Sequence, residues 1–198
     1  MKKTTLLLKN HRFLRQFFTG MLCVCGVLLT STVSAKCHEF LDFTATKLRS
    51  KEQINFCEQF AGKTLLVVNT ASQCGYTSQF ADLEALYQEN KESLDIVGFP
   101  SNDFKQEYSD SEKVADVCFV NYGVTFSMLE PSSVKGAQAN DLFKKLAAKT
   151  GHEPKWNFNK YLISADGSEV LHFASTVNPN GEKLKTAIRK VQGTLESD

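Results

Sequence analysis

Several signatures that would settle a function class are missing from this 198-residue chain. No apolar run reaches the roughly 20 residues needed to span a bilayer. There is no surplus of basic charge, with 23 Lys and Arg against 22 Asp and Glu, so the electrostatic footprint of a nucleic-acid binder is absent. No two cysteines stand three apart, and Cys74-Gly75-Tyr76-Thr77 therefore lacks the second thiol of a C-x-x-C pair. His38, His152 and His172 have no metal-ligand spacing with the cysteines, so no metal site is expected. Nothing is repetitive or low in complexity, and the length suits one domain with a real core.

The amino terminus has the order of a secretory signal peptide. Lys2, Lys3, Lys9, Arg12 and Arg15 form a basic head with no acidic residue; an apolar run follows from Phe17 to Leu29, then a small, polar stretch ending Val33-Ser34-Ala35. Small residues occupy the two positions a signal peptidase reads. Cleavage is expected after Ala35, with residues 36–198 as the mature domain, exported to a compartment such as the periplasm. Lys36 ahead of Cys37 does not suit a lipoprotein signal, and no stable membrane insertion is expected once the leader is gone. Cys23, Cys25 and five basic residues leave with it. The remainder carries 18 basic against 22 acidic residues, a net −4, and no nucleic-acid partner is expected. An oxidising compartment lets the other four cysteines, Cys37, Cys57, Cys74 and Cys118, form lasting pairs. Their spacing alone does not choose among the three possible connectivities.

Hydrophobic periodicity predicts an α/β domain. "KTLLVVN" (Lys63 to Asn69) and "LDIVGF" (Leu94 to Phe99) are short, β-branched apolar runs of the kind buried on both faces of a sheet. Between them Phe80, Leu83, Leu86 and Tyr87 recur at helical spacing, which makes a βαβ unit with parallel strands. A helix is expected from Ser111 to Tyr122, capped by Asp110 or Ser111, with Val114, Val117 and Cys118 on one face. Asn140 should cap a further helix through Leu142, Phe143 and Leu146. Trp156 to Ile163, the turn Asp166-Gly167 and Glu169 to Ala174 read as a β-hairpin, and Asn180 to Val191 as a closing amphipathic helix. An opening hairpin is expected near the amino terminus, its second strand "INFC" ending at Cys57. Alternating strands and helices predict a mixed central sheet with helices on both faces.

Cys74 follows a central strand and precedes a helix, where open α/β sheets carry their functional loops. Free backbone N–H groups and the positive end of the helix dipole favour a thiolate at such a position. Three blocks then share a pattern: "VNTASQCGYTSQF" (Val68 to Phe80), "GFPSNDFKQE" (Gly98 to Glu107) and "KWNFNKYLI" (Lys155 to Ile163). In order and spacing they resemble the signature blocks of the glutathione peroxidase family in its cysteine-containing form. The resemblance runs from Asp42-Phe43 to the hairpin, with departures at Ser101, Asp103 and Tyr108 and one residue fewer before Gln106. It implies a thioredoxin-like fold and the reduction of hydroperoxides, with Cys74 as peroxidatic residue and Gln106, Trp156 and Asn157 as its catalytic companions. Neutral amide and indole donors suit that task, because they crowd a sulfur without adding an acidic group. No cofactor is implied beyond a thiol reductant, glutathione or a thioredoxin-like protein, as co-substrate.

Cys118 resembles the resolving cysteine of the thioredoxin-dependent branch. Its structural alternative is a small apolar residue on the inner face of its helix. The short connection between Leu146 and Trp156 lacks the insertion of oligomeric members, which implies a monomer. For Cys37 and Cys57 the expectation is a structural disulfide that closes a loop of about 20 residues and contributes about 2–4 kcal/mol; two buried free thiols are the other possibility. Two further functional readings stand beside the peroxidase. One is an exported thioredoxin-like disulfide oxidoreductase, the other a non-catalytic binding or transport accessory module of the same fold.

Overall fold

The computed structural model describes residues 37–193. The leader read over residues 1–35, with Cys23 and Cys25, lies outside them.

The described chain opens with a 3-10 turn, Glu39–Leu41, and an antiparallel hairpin of β1 (Thr44–Thr46) and β2 (Gln53–Asn55). Cys57 does not end the second strand. Asn55 stops β2 because its side-chain oxygen accepts the Glu58 N–H (3.3 Å), which caps the five-residue helix α1 (Phe56–Phe60) that carries Cys57. Five residues are too few for intrinsic propensity to hold a helix. α1 persists because Phe56 and Phe60 are fully buried and meet edge to face at 4.9 Å.

The main sheet has the order β5–β4–β3–β6–β7. Its centre is β3 (Thr64–Thr70), buried at every residue and parallel to β4 (Leu94–Pro100) with Leu66 opposite Ile96. β5 (Ser127–Met128) extends the parallel side, while β6 (Lys160–Ile163) and β7 (Val170–Phe173) are added antiparallel. The sheet is therefore mixed, as expected. Alternation along β3 divides the core. Leu66 and Val68 face the layer of Phe80, Leu83 and Leu86 from α2 (Gln79–Asn90), together with residues of the later helices. Leu65 and Val67 face Phe56 and Phe60 of α1 and, from a later helix, Leu142, Phe143 and Leu146. Both faces are covered.

The segment from Ser111 to Tyr122 is not one regular helix. Asp110 caps α3 (Ser111–Ala115) by accepting the Glu112 N–H (3.0 Å), after which Asp116–Asn121 widens into a π-helix. Val114 and Cys118 point into the core as their spacing requires, and Val117 is half-buried. The wider turn leaves Val120 70% exposed. Asn140 caps α4 (Asp141–Thr150) through the Phe143 N–H (3.0 Å), and Gly151, at φ 72°, ends it in the left-handed conformation.

The hairpin strand starts at Lys160, four residues after Trp156. Asn69 at the end of β3 explains the delay. Its carbonyl accepts the Phe158 N–H (2.6 Å) and its side-chain oxygen accepts the Asn159 N–H (2.9 Å), so the incoming chain is held as a loop. Phe158 takes a positive φ of 59° to comply. The Asp166-Gly167 turn forms as read, with Gly167 at φ 73° and Asp166 accepting the Ser168 N–H (3.0 Å). α5 (Glu182–Val191) closes the described chain, packing Leu184 and Ile188 on the α2 layer. It begins two residues late, because Asn178 holds the Asn180 N–H (2.7 Å) in a turn.

Candidate active site

Three loops meet beyond the carboxyl end of β3. The first carries Cys74, 8% exposed, between β3 and α2. Its backbone is held by Thr77, whose hydroxyl accepts the Cys74 N–H (3.0 Å) and lies 2.7 Å from the Cys74 carbonyl and 3.0 Å from that of Ala71. The Tyr76 N–H is aimed at the Cys74 sulfur at 3.4 Å. A threonine hydroxyl thus occupies the place where a C-x-x-C motif would put its second thiol.

The second loop, between β4 and α3, carries Gln106. It is fastened to the first by the Gln73 N–H on the Gln106 carbonyl (2.9 Å). Glu107 adds a second tie: its Oε1 accepts both the Ser72 N–H (3.1 Å) and the Tyr108 N–H (2.9 Å). Burial raises the Glu107 carboxyl above its ordinary range, against the opposing pull of its hydrogen bonds to Ser72 and Tyr108.

The third loop carries Trp156 and Asn157. The Trp156 carbonyl accepts from two side-chain amides, Asn159 Nδ2 (2.8 Å) and Asn69 Nδ2 (3.1 Å). The ring is 42% exposed and packs at 5.5 Å against Phe104 of the second loop. Asn157 is fully buried, and its Nδ2 donates to Gln106 Oε1 (2.9 Å). That bond joins two residues 51 positions apart. The Asn157 Oδ1 is buried without a hydrogen-bond partner.

Cys118 shares the apolar layer of Cys74, and both are free thiols. Burial first, and the Glu107 charge second, push the Cys118 thiol up to about 12. Cys37 and Cys57 are joined as a disulfide with their Cα atoms 5.6 Å apart, remote in sequence from the loops just described. Among the described residues no group of three or more His, Cys, Asp or Glu is gathered to hold a metal.

Beside Trp156 opens a cavity of about 640 Å³, lined in part by Tyr76, His152, His172, Lys155 and Lys183 and by no acidic residue. The two imidazoles stack at 5.1 Å, and the His172 Nε2–H donates to Asn159 Oδ1 (2.8 Å). Burial, with His152 and Lys155 adding to it, lowers the His172 pKa.

A family model described as glutathione peroxidase matches residues 40–147. The chain belongs to the glutathione peroxidase family. It is 38% identical to a glutathione peroxidase of Lactococcus lactis subsp. cremoris over 77% of this chain and 98% of the relative. It is 40% identical to a glutathione peroxidase-like peroxiredoxin of Chlamydomonas reinhardtii, over 77% and 96%. Among solved structures, Trgpx in its apo form superimposes with a TM-score of 0.60 at 34% identity, covering 79% of this chain and 96% of that one. A secreted Mycobacterium tuberculosis disulfide oxidoreductase reaches a TM-score of 0.53 at 17% identity, over 79% of this chain and 99% of that one. This second likeness concerns the fold alone, which is thioredoxin-like. Membership makes the chain a thiol peroxidase that works with a thiol co-substrate.

The sequence blocks placed Cys74, Gln106, Trp156 and Asn157 on loops that do converge. Reading by blocks missed the residues that hold those loops together: Asn69, Thr77, Gln79, Glu107, Asn159, Lys160 and Ser175. One signal was available for Lys160. It stands two positions before Leu162, on the same face of an otherwise apolar strand.

Proposed function

We propose that Cys74 is the peroxidatic residue of a hydroperoxide reductase, with Gln106, Trp156 and Asn157 as its proton-donating and orienting companions. The Asn157–Gln106 hydrogen bond carries this reading (2.9 Å). It commits the Gln106 oxygen to Asn157 and leaves the Gln106 NH₂ end to donate. The Cys74 thiolate attacks one peroxide oxygen, the O–O bond breaks, and the leaving alkoxide takes up the proton that the thiol released. Cys74 becomes a sulfenic acid. Cys118 then attacks that sulfur, forming a Cys74–Cys118 disulfide and releasing water, and an external dithiol restores both thiols by exchange. The cationic cavity beside Trp156 supports docking of a reductant or hydroperoxide that carries negative charge. Thr77 in place of a second thiol weighs against dithiol exchange at Cys74.

The test is Cys74→Ser. Stoichiometric and catalytic peroxide consumption should both vanish while the circular dichroism stays native; consumption near the native rate would end this reading.

The full burial of Cys118 favours a second cycle, in which a small thiol such as glutathione attacks the sulfenic acid directly. Cys118→Ser separates the two. Loss of thioredoxin-driven turnover with an intact first reduction supports resolution by Cys118, and undiminished turnover supports the one-cysteine cycle. The leader supports export with a mature start at Lys36, and the short Leu146–Trp156 connection supports a monomer. Amino-terminal sequencing from the native host and sedimentation of the mature chain test these two points; an intact Met1 or a larger assembly would refute them.

A further inference from the structure

Lys160 is the most unusual charged residue in the described chain. It sits at the start of β6, opposite Val68 of β3, with no exposed surface. Its Nζ donates to two neutral oxygens, Gln79 Oε1 (2.7 Å) and the Phe158 carbonyl (2.8 Å). Lysine is almost never buried in this way without a carboxylate, because the ammonium loses its hydration. A residue that costs this much where an apolar side chain would pack invites a role beyond packing.

Its partners define that role. Gln79 is the first residue of α2, five positions after Cys74. Phe158 directly follows Trp156-Asn157 and is held at a positive φ of 59° that a bulky side chain rarely takes. The ring of contacts continues from Gln79 Nε2 to the Ser175 carbonyl (2.8 Å), and from the Ser175 hydroxyl to the Asn157 carbonyl (2.5 Å). The Lys160 amino group has N–H donors for both oxygens at once, which suits a clamp on a strained peptide.

We propose that Lys160 is a positioning residue for the peroxidase reaction, clamping the Phe158 peptide to the first turn of α2 so that Trp156 and Asn157 stay in register with the Cys74 loop. Lys160 touches no substrate in this role. It acts through Phe158 and Gln79 on the groups that meet the peroxide. The inference rests on the peroxidatic reading of Cys74, and the experiment keeps the two apart.

Lys160→Met preserves length and removes the donors. Two second-order rates are measured on the reduced variant: oxidation of Cys74 by hydrogen peroxide, and alkylation of Cys74 by iodoacetamide. Alkylation needs the thiolate but not the donors that meet the peroxide. Peroxide oxidation should fall by about 10- to 100-fold, the usual scale for misplaced donors, with alkylation within about twofold. The emission of Trp156, the only tryptophan, should shift at the same time. An unchanged peroxide rate, or an equal fall in both rates, would overturn the proposal. If Lys160→Met does not fold, the paired change Lys160→Met/Gln79→Leu replaces both ends of the contact with apolar groups, and the same rates are read. Failure of both variants to fold would assign Lys160 to the fold alone and also overturn it. Cys74→Ser is run alongside: peroxide consumption by that variant would refute the peroxidatic reading itself, whatever Lys160→Met does.

Discussion

Burial among neutral partners brings the Lys160 ammonium down from 10.5 to about 7. Between those values the unfolded chain holds a proton that the folded chain has lost, so stability rises with pH across the interval. Cys118 acts in the opposite sense. Its thiol is pushed up from 9.0 to about 12, chiefly by burial, so the folded chain keeps a proton there that the unfolded chain gives up, and stability falls from pH 9 upward. The window from pH 7 to 9 therefore belongs to Lys160 in this pair. Urea unfolding at the two ends of that window should show the native chain gaining on the order of 2 kcal/mol relative to Lys160→Met, since each pKa unit corresponds to roughly 1.4 kcal/mol. Equal pH increments in the two proteins would mean that Lys160 titrates normally in the fold. Glu107 makes a complementary case at the same scale. Glu107→Ala removes the acceptor of two backbone N–H groups, those of Ser72 and Tyr108, and should cost about 2–3 kcal/mol by the same unfolding measurement.

At the scale of elements the π-helix Asp116–Asn121 matters most. A disulfide requires Cα atoms within about 7 Å, and Cys118 is enclosed in the core with its carbonyl accepting the Val124 N–H (3.0 Å). Resolution by Cys118, as proposed, calls on this turn to open and release its buried sulfur. A single wide turn, with the positive-φ Gly123 two residues beyond its end, is an inexpensive place for local unfolding. Backbone amides of 116–121 should therefore exchange faster than those of α2, and faster again after one equivalent of peroxide. Peptide mapping of that oxidised sample should recover a Cys74–Cys118 link. A helix that stays as protected as α2 in both states would place Cys118 permanently in the core.

For the whole molecule, the Cys37–Cys57 disulfide ties the start of the described chain to α1 across 20 positions. Closing a loop of that size stabilises by about 2–4 kcal/mol, mainly by restricting the unfolded chain. Replacing both cysteines by serine should lower stability by that amount while leaving Cys74 oxidation unchanged, because the bridge packs with the α1–α4 layer and Cys74 with the α2–α5 layer. A parallel loss in the rate of peroxide reaction would mean that the two layers are coupled.

What the sequence determined by itself was local or periodic. The apolar runs of β3 and β4, the caps at Asp110 and Asn140 and the Asp166-Gly167 turn each follow from neighbours a few positions away, while Gln106, Trp156 and Asn157 were legible only through the resemblance of three blocks taken together. Tertiary structure decided the rest. Gln79 meets Lys160 across 81 positions and Ser175 across 96, while Asn69 reaches Asn159 across 90. No propensity or period encodes such pairs, because each amide is equally content with water until the fold removes it. Long-range contacts also set the element bounds: the buried Phe56 and Phe60 keep Cys57 in a helix rather than at a strand end, and the hydrogen bonds of Asn69 delay β6 to Lys160.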